Sequence, residues 1–225
     1  MTMRGWYGNL SKENPDLLRV IHDFNQRPQY WVHPSVLSEV PFADVVSHLT
    51  RHGSHQASSW VNRQLGLHEK ETFWDFEDPR KRVALLSHAT LEKLARYCGA
   101  AQRWSRIASI IGKVQNQEIK AAIGEDAHAF ALRRARQLVS QEDASQKLEG
   151  RTLIEEILHL GWGTVTAALS GEPDSLLSRF ILKLPTEALK SEMDDVPVEV
   201  RDTAWQRISR INKEVLTDGE LQCFA

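Results

Sequence analysis

Nine histidines and thirty carboxylates are the groups through which this 225-residue chain would do chemistry. His48 and His52 stand four residues apart on a segment whose apolar residues, Phe42, Val45, Val46 and Leu49, repeat at helical spacing. That spacing puts two imidazoles on one helix face, as a divalent metal site requires. His55 follows beyond Gly53, and Asp44 lies one turn before His48. The plainer expectation is a solvated polar face opposite the apolar four. His68-Glu69-Lys70-Glu71-Thr72 begins like a zinc-protease motif, but Thr72 stands where the second ligand must be, so the two-histidine clamp is absent. Gly161-Trp162-Gly163 matches the first half of a dinucleotide fingerprint. A helical pattern precedes it where a strand is needed, so no helix N-terminus is aimed at a pyrophosphate. Close helix packing or a kink is the expectation there. No GxxxxGK[ST] and no GxSxG occur. The two cysteines, Cys98 and Cys223, form no CxxC, and Cys98 lies on an apolar stripe as a core thiol would. No cofactor, metal or catalytic residue is therefore expected.

The remaining candidates are residues that would touch a partner. The formal net charge is −2, but it is unevenly spread. Residues 80–140 hold 12 basic and 4 acidic residues, and residues 141–225 hold 9 and 16. Arg80 and Arg82, then Arg133, Arg134 and Arg136, are the expected basic contacts. The basic middle has three readings: pairing with this chain's own acidic end, a face for an acidic protein, or a nucleic-acid platform over residues 103–136 with Trp104 among its arginines. Trp74 and Phe76, set among acids in the stretch 66–82, are the expected exposed aromatic anchors. A helical enzyme built on His48, His52 or His88 is a further alternative, and it requires a closed pocket.

The elements that would position these residues are helical nearly throughout. Leu17, Val20, Ile21 and Phe24 share one face behind Asn14 as N-cap and Pro15 in the first turn. Leu91, Leu94, Ala95 and Cys98 form a second stripe, and Trp104, Ile107, Ala108 and Ile111 a third, with Gly99 and Gly112 read as C-caps. Further stripes run through Gly124–Ser140, Leu153–Val165, Leu176–Leu184 (stopped by Pro185) and Val200–Val215. The best strand candidate is Val196–Val200, weakened by Pro197. The reading is an all-α, irregular bundle of about eight to ten helices, as one compact domain or two closely packed helical subdomains. Residues 1–140 form an N-terminal and central region and 141–225 a C-terminal one, with the polar stretch 140–147 as the best linker. The first thirty residues lack a hydrophobic signal region, and no run approaches the ~20 apolar residues of a membrane helix, so a cytosolic protein with no direct membrane insertion is expected.

Three segments go further. Phe24-Asn-Gln-Arg-Pro28-Gln-Tyr30-Trp-Val-His33-Pro-Ser35 resembles the amino-terminal signature of the SctK family (YscK/PscK type) of bacterial type III secretion injectisomes. Leu85-Leu86 through Leu91, Leu94 and Gly99–Ile111 are similar to that family's central apolar helices. Gly163–Leu169, Gly171-Glu-Pro173 and Arg179-Phe-Ile-Leu-Lys-Leu-Pro185 are similar to its carboxy-terminal pattern. The resemblance covers residues 20–186 and leaves 187–225 unmatched. It implies a non-enzymatic adaptor of the cytosolic sorting platform, at the cytosolic face of the inner membrane, in virulence or symbiosis. Its implied partners are the inner-ring protein SctD and the pod protein SctQ, with SctL and the SctN ATPase further inward, and no nucleic acid. Phe24, Tyr30, Trp31, Trp104 and Phe180 are expected in the core.

Overall fold

A computed structural model of the chain describes residues 3–51, 55–185, 188, 196–222 and 224. Among the described residues it is all-helical, with no strand. The helices are α1 (Met3–Glu13), α2 (Pro15–Gln26), α3 (Pro34–Leu37), α4 (Ala43–Arg51), α5 (His55–Gln64), α6 (His88–Gln102) and α7 (Trp104–Ala108). They continue as α8 (Lys113–Ile123), α9 (Glu125–Arg133), α10 (Gln141–Ser145), α11 (Leu153–Leu169), α12 (Asp174–Ile181), α13 (Val198–Val215) and α14 (Asp218–Gln222). Ten of them have seven or more residues, in line with the helix count read from periodicity. The chain divides into two compact units. The first takes Met1–His88, Gly171–Lys190 and Asp218–Ala225; the second takes Ala89–Ser170 and Ser191–Thr217. The stretch 140–147 carries α10 and lies inside the second unit, with the same unit on both sides of it.

In the first unit, α2 starts as its sequence dictates. The Asn14 side chain accepts from Leu17 N at 3.0 Å and Pro15 fills the first position. Leu17, Ile21 and Phe24 then face inward and are buried. Phe24 seeds an aromatic cluster: Trp31 lies 5.3 Å from it, and Phe76 meets it edge-on at 5.7 Å and Phe73 edge-on at 5.0 Å. Phe73 and Phe76 belong to a stretch with no regular secondary structure, residues 70–77, whose backbone groups need partners once buried. Side chains supply them. Asn25 donates to Phe73 O at 2.6 Å and accepts from Phe73 N at 2.8 Å. Arg179 donates to Glu71 O at 2.7 Å, Arg82 donates to Phe76 O at 2.8 Å and Glu77 O at 3.1 Å, and the Tyr7 hydroxyl donates to Trp74 O.

Lys183 sits at the centre of this arrangement, wholly buried and, among the described residues, with no carboxylate on it. Its Nζ donates to Ala84 O and Leu86 O, each at 2.7 Å, and lies 5.2 Å from the Phe24 ring centroid and 5.7 Å from that of Trp31. Two carbonyls match the two N–H donors of a neutral amine, and the ring faces favour the cation. Burial dominates and pushes the amine from 10.5 down to about 7.

In the second unit, α6 and α11 touch backbone to backbone. A Cβ on Gly99 would stand 1.8 Å from Ile157 O, and one on Gly161 would stand 2.0 Å from Ala95 O. Gly99 is thus a packing residue inside α6 and not its C-cap, while the close-packing reading of Gly161 is borne out. Gly112 is the N-cap of α8 and not a C-cap. The third stripe stops short: α7 ends at Ala108 and Ile111 is 99% exposed. Gly124–Ser140 holds the nine-residue α9 and a 3-10 turn at Ala135–Gln137. The strand candidate is helical, because Pro197 caps α13 and Val198–Val200 form its first turn, where a missing N–H costs nothing. α11 begins with a capping box, Thr152 N donating to Glu155 Oε2 at 2.8 Å and Glu155 N to Thr152 Oγ1 at 3.3 Å. One turn in, Glu156 is buried and receives Arg103 Nε at 2.7 Å and also Arg106. Burial raises the Glu156 carboxyl, but the two arginine hydrogen bonds outweigh burial and hold it below the usual range.

Three outcomes are expected. Between pH 7 and about 10 the unfolded chain holds a Lys183 proton that the native chain gives up. Native stability therefore rises with pH, by up to ~1.4 kcal/mol per pH unit, and below about 7 the full cost of a buried ammonium is present. Urea unfolding at several pH values should show this slope in the wild type and not in Lys183→Met; equal slopes would refute it. Gly99→Ala is expected to destabilise by about 1–3 kcal/mol through the clash with Ile157 O, whereas Gly163→Ala, whose Cβ meets no atom within 4 Å, stabilises by up to ~1 kcal/mol. Glu156→Gln is expected to cost roughly 3–5 kcal/mol by leaving Arg103 buried and without its counter-charge, read as a lower urea midpoint.

Candidate functional site

The sequence-predicted contact residues fall into two groups, one in each unit. In the first unit, Phe76 is 0% exposed and Arg82 is 6% exposed. Both corrections have one cause: Phe76 fills the gap between Phe24 and Phe73, and Arg82 turns inward to satisfy the carbonyls of Phe76 and Glu77. Trp74 is half-buried, its ring 6.3 Å from Tyr7 and its indole N–H donating to Thr72 Oγ1 at 2.8 Å. Arg80 is half-buried, and its backbone N–H donates to Asp78 Oδ1 at 2.8 Å. The acidic aromatic stretch thus sends Phe73 and Phe76 into the core and leaves Trp74 at its edge.

In the second unit, Arg133, Arg134 and Arg136 are exposed as expected. Arg134 is paired with Glu214, and Arg133 and Arg134 share a shallow groove of about 320 Å³ with Lys93, Tyr97 and Asp126. Pairing of the basic middle with the chain's own acidic end is part of the answer: Arg103 and Arg106 meet Glu156, and Arg134 meets Glu214. The nucleic-acid platform loses Arg103 and Arg106 by this pairing. Trp104 is half-buried, with its indole N–H donating to Val139 O at 3.0 Å. Phe24, Trp31 and Phe180 are buried as read.

Of the chemical candidates, His48 is exposed and His52 lies outside the described residues. Among the described residues no group of three or more His, Cys, Asp or Glu side chains could hold a metal ion. Cys98 is buried, and burial pushes its thiol up to about 12, which leaves almost no thiolate for nucleophilic work. Cys223 lies outside the described residues.

Periodicity placed one set of residues on the wrong side. Phe42 and Val45 belong to the apolar spacing of α4, yet they are 72% and 54% exposed, and Tyr30 is 49% exposed. Val46 alone of the α4 quartet is buried. Tyr30 follows from the 3-10 turn at Pro28–Tyr30, which turns Trp31 inward and Tyr30 outward, so the two neighbours are not both buried. The Tyr30 hydroxyl reaches Thr50 O at 3.4 Å. Phe42 has φ 59, in the left-handed region, where a bulky non-glycine residue is strained by about 1–2 kcal/mol. Its ring lies 6.3 Å from that of Trp60, whose indole N–H donates to Pro41 O at 3.4 Å. Strain and exposure thus meet at one aromatic residue. No sequence signal separates this from a buried helical stripe, because both have the same period.

A second feature is a groove of about 410 Å³ within the second unit, formed by α6, α11 and α13. Gly163 and Arg207 line it.

A family model described as YOP proteins translocation protein K (YscK) matches residues 20–224, well beyond the segments that carry the resemblance in sequence. No curated protein and no solved structure is found to be similar. The match spans nearly the whole of both units, and the chain belongs to the YscK family of type III secretion proteins.

Proposed function

We propose that the chain is a non-enzymatic adaptor of the injectisome's cytosolic sorting platform, joining the inner-ring protein SctD to the pod protein SctQ, with SctL and the SctN ATPase as indirect neighbours. The observation that carries this is the family match over residues 20–224, in a family of secretion components with no known enzymes. Among the described residues no helix is long and apolar enough to cross a membrane, which supports a role beside the inner membrane and not within it. The strained, exposed Phe42 with Val45 and Tyr30 supports a protein contact on the first unit. Exposed Arg133 and Arg136 support a charged contact on the second.

The experiment is capture of full-length SctD cytoplasmic domain and SctQ from the same secretion locus on the immobilised chain. Both are expected to bind, and capture of neither overturns the reading. Raising salt from about 0.05 to about 0.5 M is expected to weaken at least one contact, because the Debye length falls severalfold. Phe42→Gly combined with Val45→Ser is expected to weaken one partner by about ten-fold or more with an unchanged or higher melting temperature, since glycine relieves the left-handed backbone. Unaltered binding of both partners would remove this face from the interface.

A further inference from the structure

The groove of the second unit lies between α6, α11 and α13. Leu160, Ala167 and Ala204 supply its apolar wall, and Gly163 opens it: a Cβ at that position would meet no atom within 4 Å. A glycine inside a helix costs up to about 1 kcal/mol relative to alanine. Gly99 and Gly161 offset that cost by letting two helices touch; among the described residues nothing packs on Gly163 to offset it.

Arg207 stands half-buried at one end of the groove. One of its N–H groups goes to Gln102 Oε1 at 3.1 Å. Gln102 in turn donates to Thr164 Oγ1 at 2.9 Å and to Leu160 O at 3.2 Å, which fixes its carbonyl toward the guanidinium. Among the described residues no carboxylate lies within ion-pair distance of Arg207, although a guanidinium has five donors and engages a carboxylate through two at once. Burial lowers its pKa, and Cys98 and Asp143 offset that in part. Glu199 lines the other end of the groove, eight residues earlier on α13 and so roughly 12 Å away along the helix. That length fits three or four extended residues at about 3.3 Å each.

We propose that this groove binds a short extended segment of a partner protein, with an aspartate or glutamate pairing with Arg207 and apolar side chains lying over Gly163. The occupant's charge is set by Arg207, its width by the missing side chain at Gly163, and its length by the distance to Glu199. A nucleic-acid strand would set further phosphates against Glu199 and the apolar wall. The proposal rests on the adaptor reading solely in taking the occupant to be protein.

The test pans phage-displayed random heptapeptides on the full-length wild-type chain, with the full-length Gly163→Leu variant as counter-selector. A Cβ at this position meets no atom within 4 Å, so leucine enters open groove space against the apolar wall, and this variant is expected to melt no lower than wild type while losing the site. Enriched peptides are expected to carry an Asp or Glu beside apolar residues. A synthetic peptide of the enriched sequence is expected to bind about ten-fold or more weakly to Gly163→Leu and to Arg207→Gln, and its own Glu→Gln or Asp→Asn twin is expected to lose as much on wild type. The proposal is overturned by no enrichment over Gly163→Leu, by enriched peptides that lack a carboxylate, or by peptides that bind Arg207→Gln as tightly as wild type. Neither SctD nor SctQ enters this test, so its failure with successful partner capture rejects the groove alone, and failed capture rejects the adaptor reading by itself.

Discussion

A cation inside a protein must be answered, and the first unit answers Lys183 with carbonyl oxygens and aromatic faces in place of a carboxylate. Lys183 donates to the carbonyls of Ala84 and Leu86, so the amine ties down the turn at Lys81–Leu85 and the residue after it. Arg179 and Arg82 do the same for the stretch at 70–77. These cations work as donors to irregular backbone, which lets a segment without helix or strand pass through a core. The second unit solves its burial problem differently, with a carboxylate, Glu156, bridging Arg103 and Arg106. Removing one member of that trio leaves a charge uncompensated, which is more damaging than never having had the trio.

What the sequence revealed follows the range of the interaction. Local rules were legible: the Asn14 cap, Pro15 in the first turn, the buried Leu17–Ile21–Phe24 face, and the all-helical class all follow from neighbours within a turn or two. Long-range rules were not. Arg82 reads as surface charge because its partners are main-chain atoms, which carry no sequence signature. Phe76 reads as exposed because acids flank it, yet its ring fills a gap set by Phe24, 52 positions away. Gly99 reads as a cap because a helix end and a close helix approach use the same residue type; the Ile157 carbonyl decides between them. Phe42 and Val45 fit the core period equally well as a stripe that is exposed among the described residues.

The distribution of charge carries a similar lesson. Along the chain the basic middle and acidic end look like two opposed faces. In space the second unit holds 15 basic and 15 acidic residues and joins several of them internally. Two arginines illustrate what is left over. Arg134 has a carboxylate at the surface, where an ion pair contributes little. Arg207 has none among the described residues and is half-buried, where an incoming carboxylate contributes far more. Burial, and not the count of charges, separates the two.

The first unit is assembled from segments that lie far apart along the chain. Its opening 88 residues are translated long before Arg179 and Lys183, the two donors that satisfy carbonyls at Glu71, Ala84 and Leu86. At ribosomal speeds of about 5–20 residues per second, that interval lasts on the order of 5–20 s. Throughout it the Phe24 and Trp31 rings have no Lys183 beside them, and the nascent amino-terminal portion is a natural client for whatever shields sticky chains in the cell.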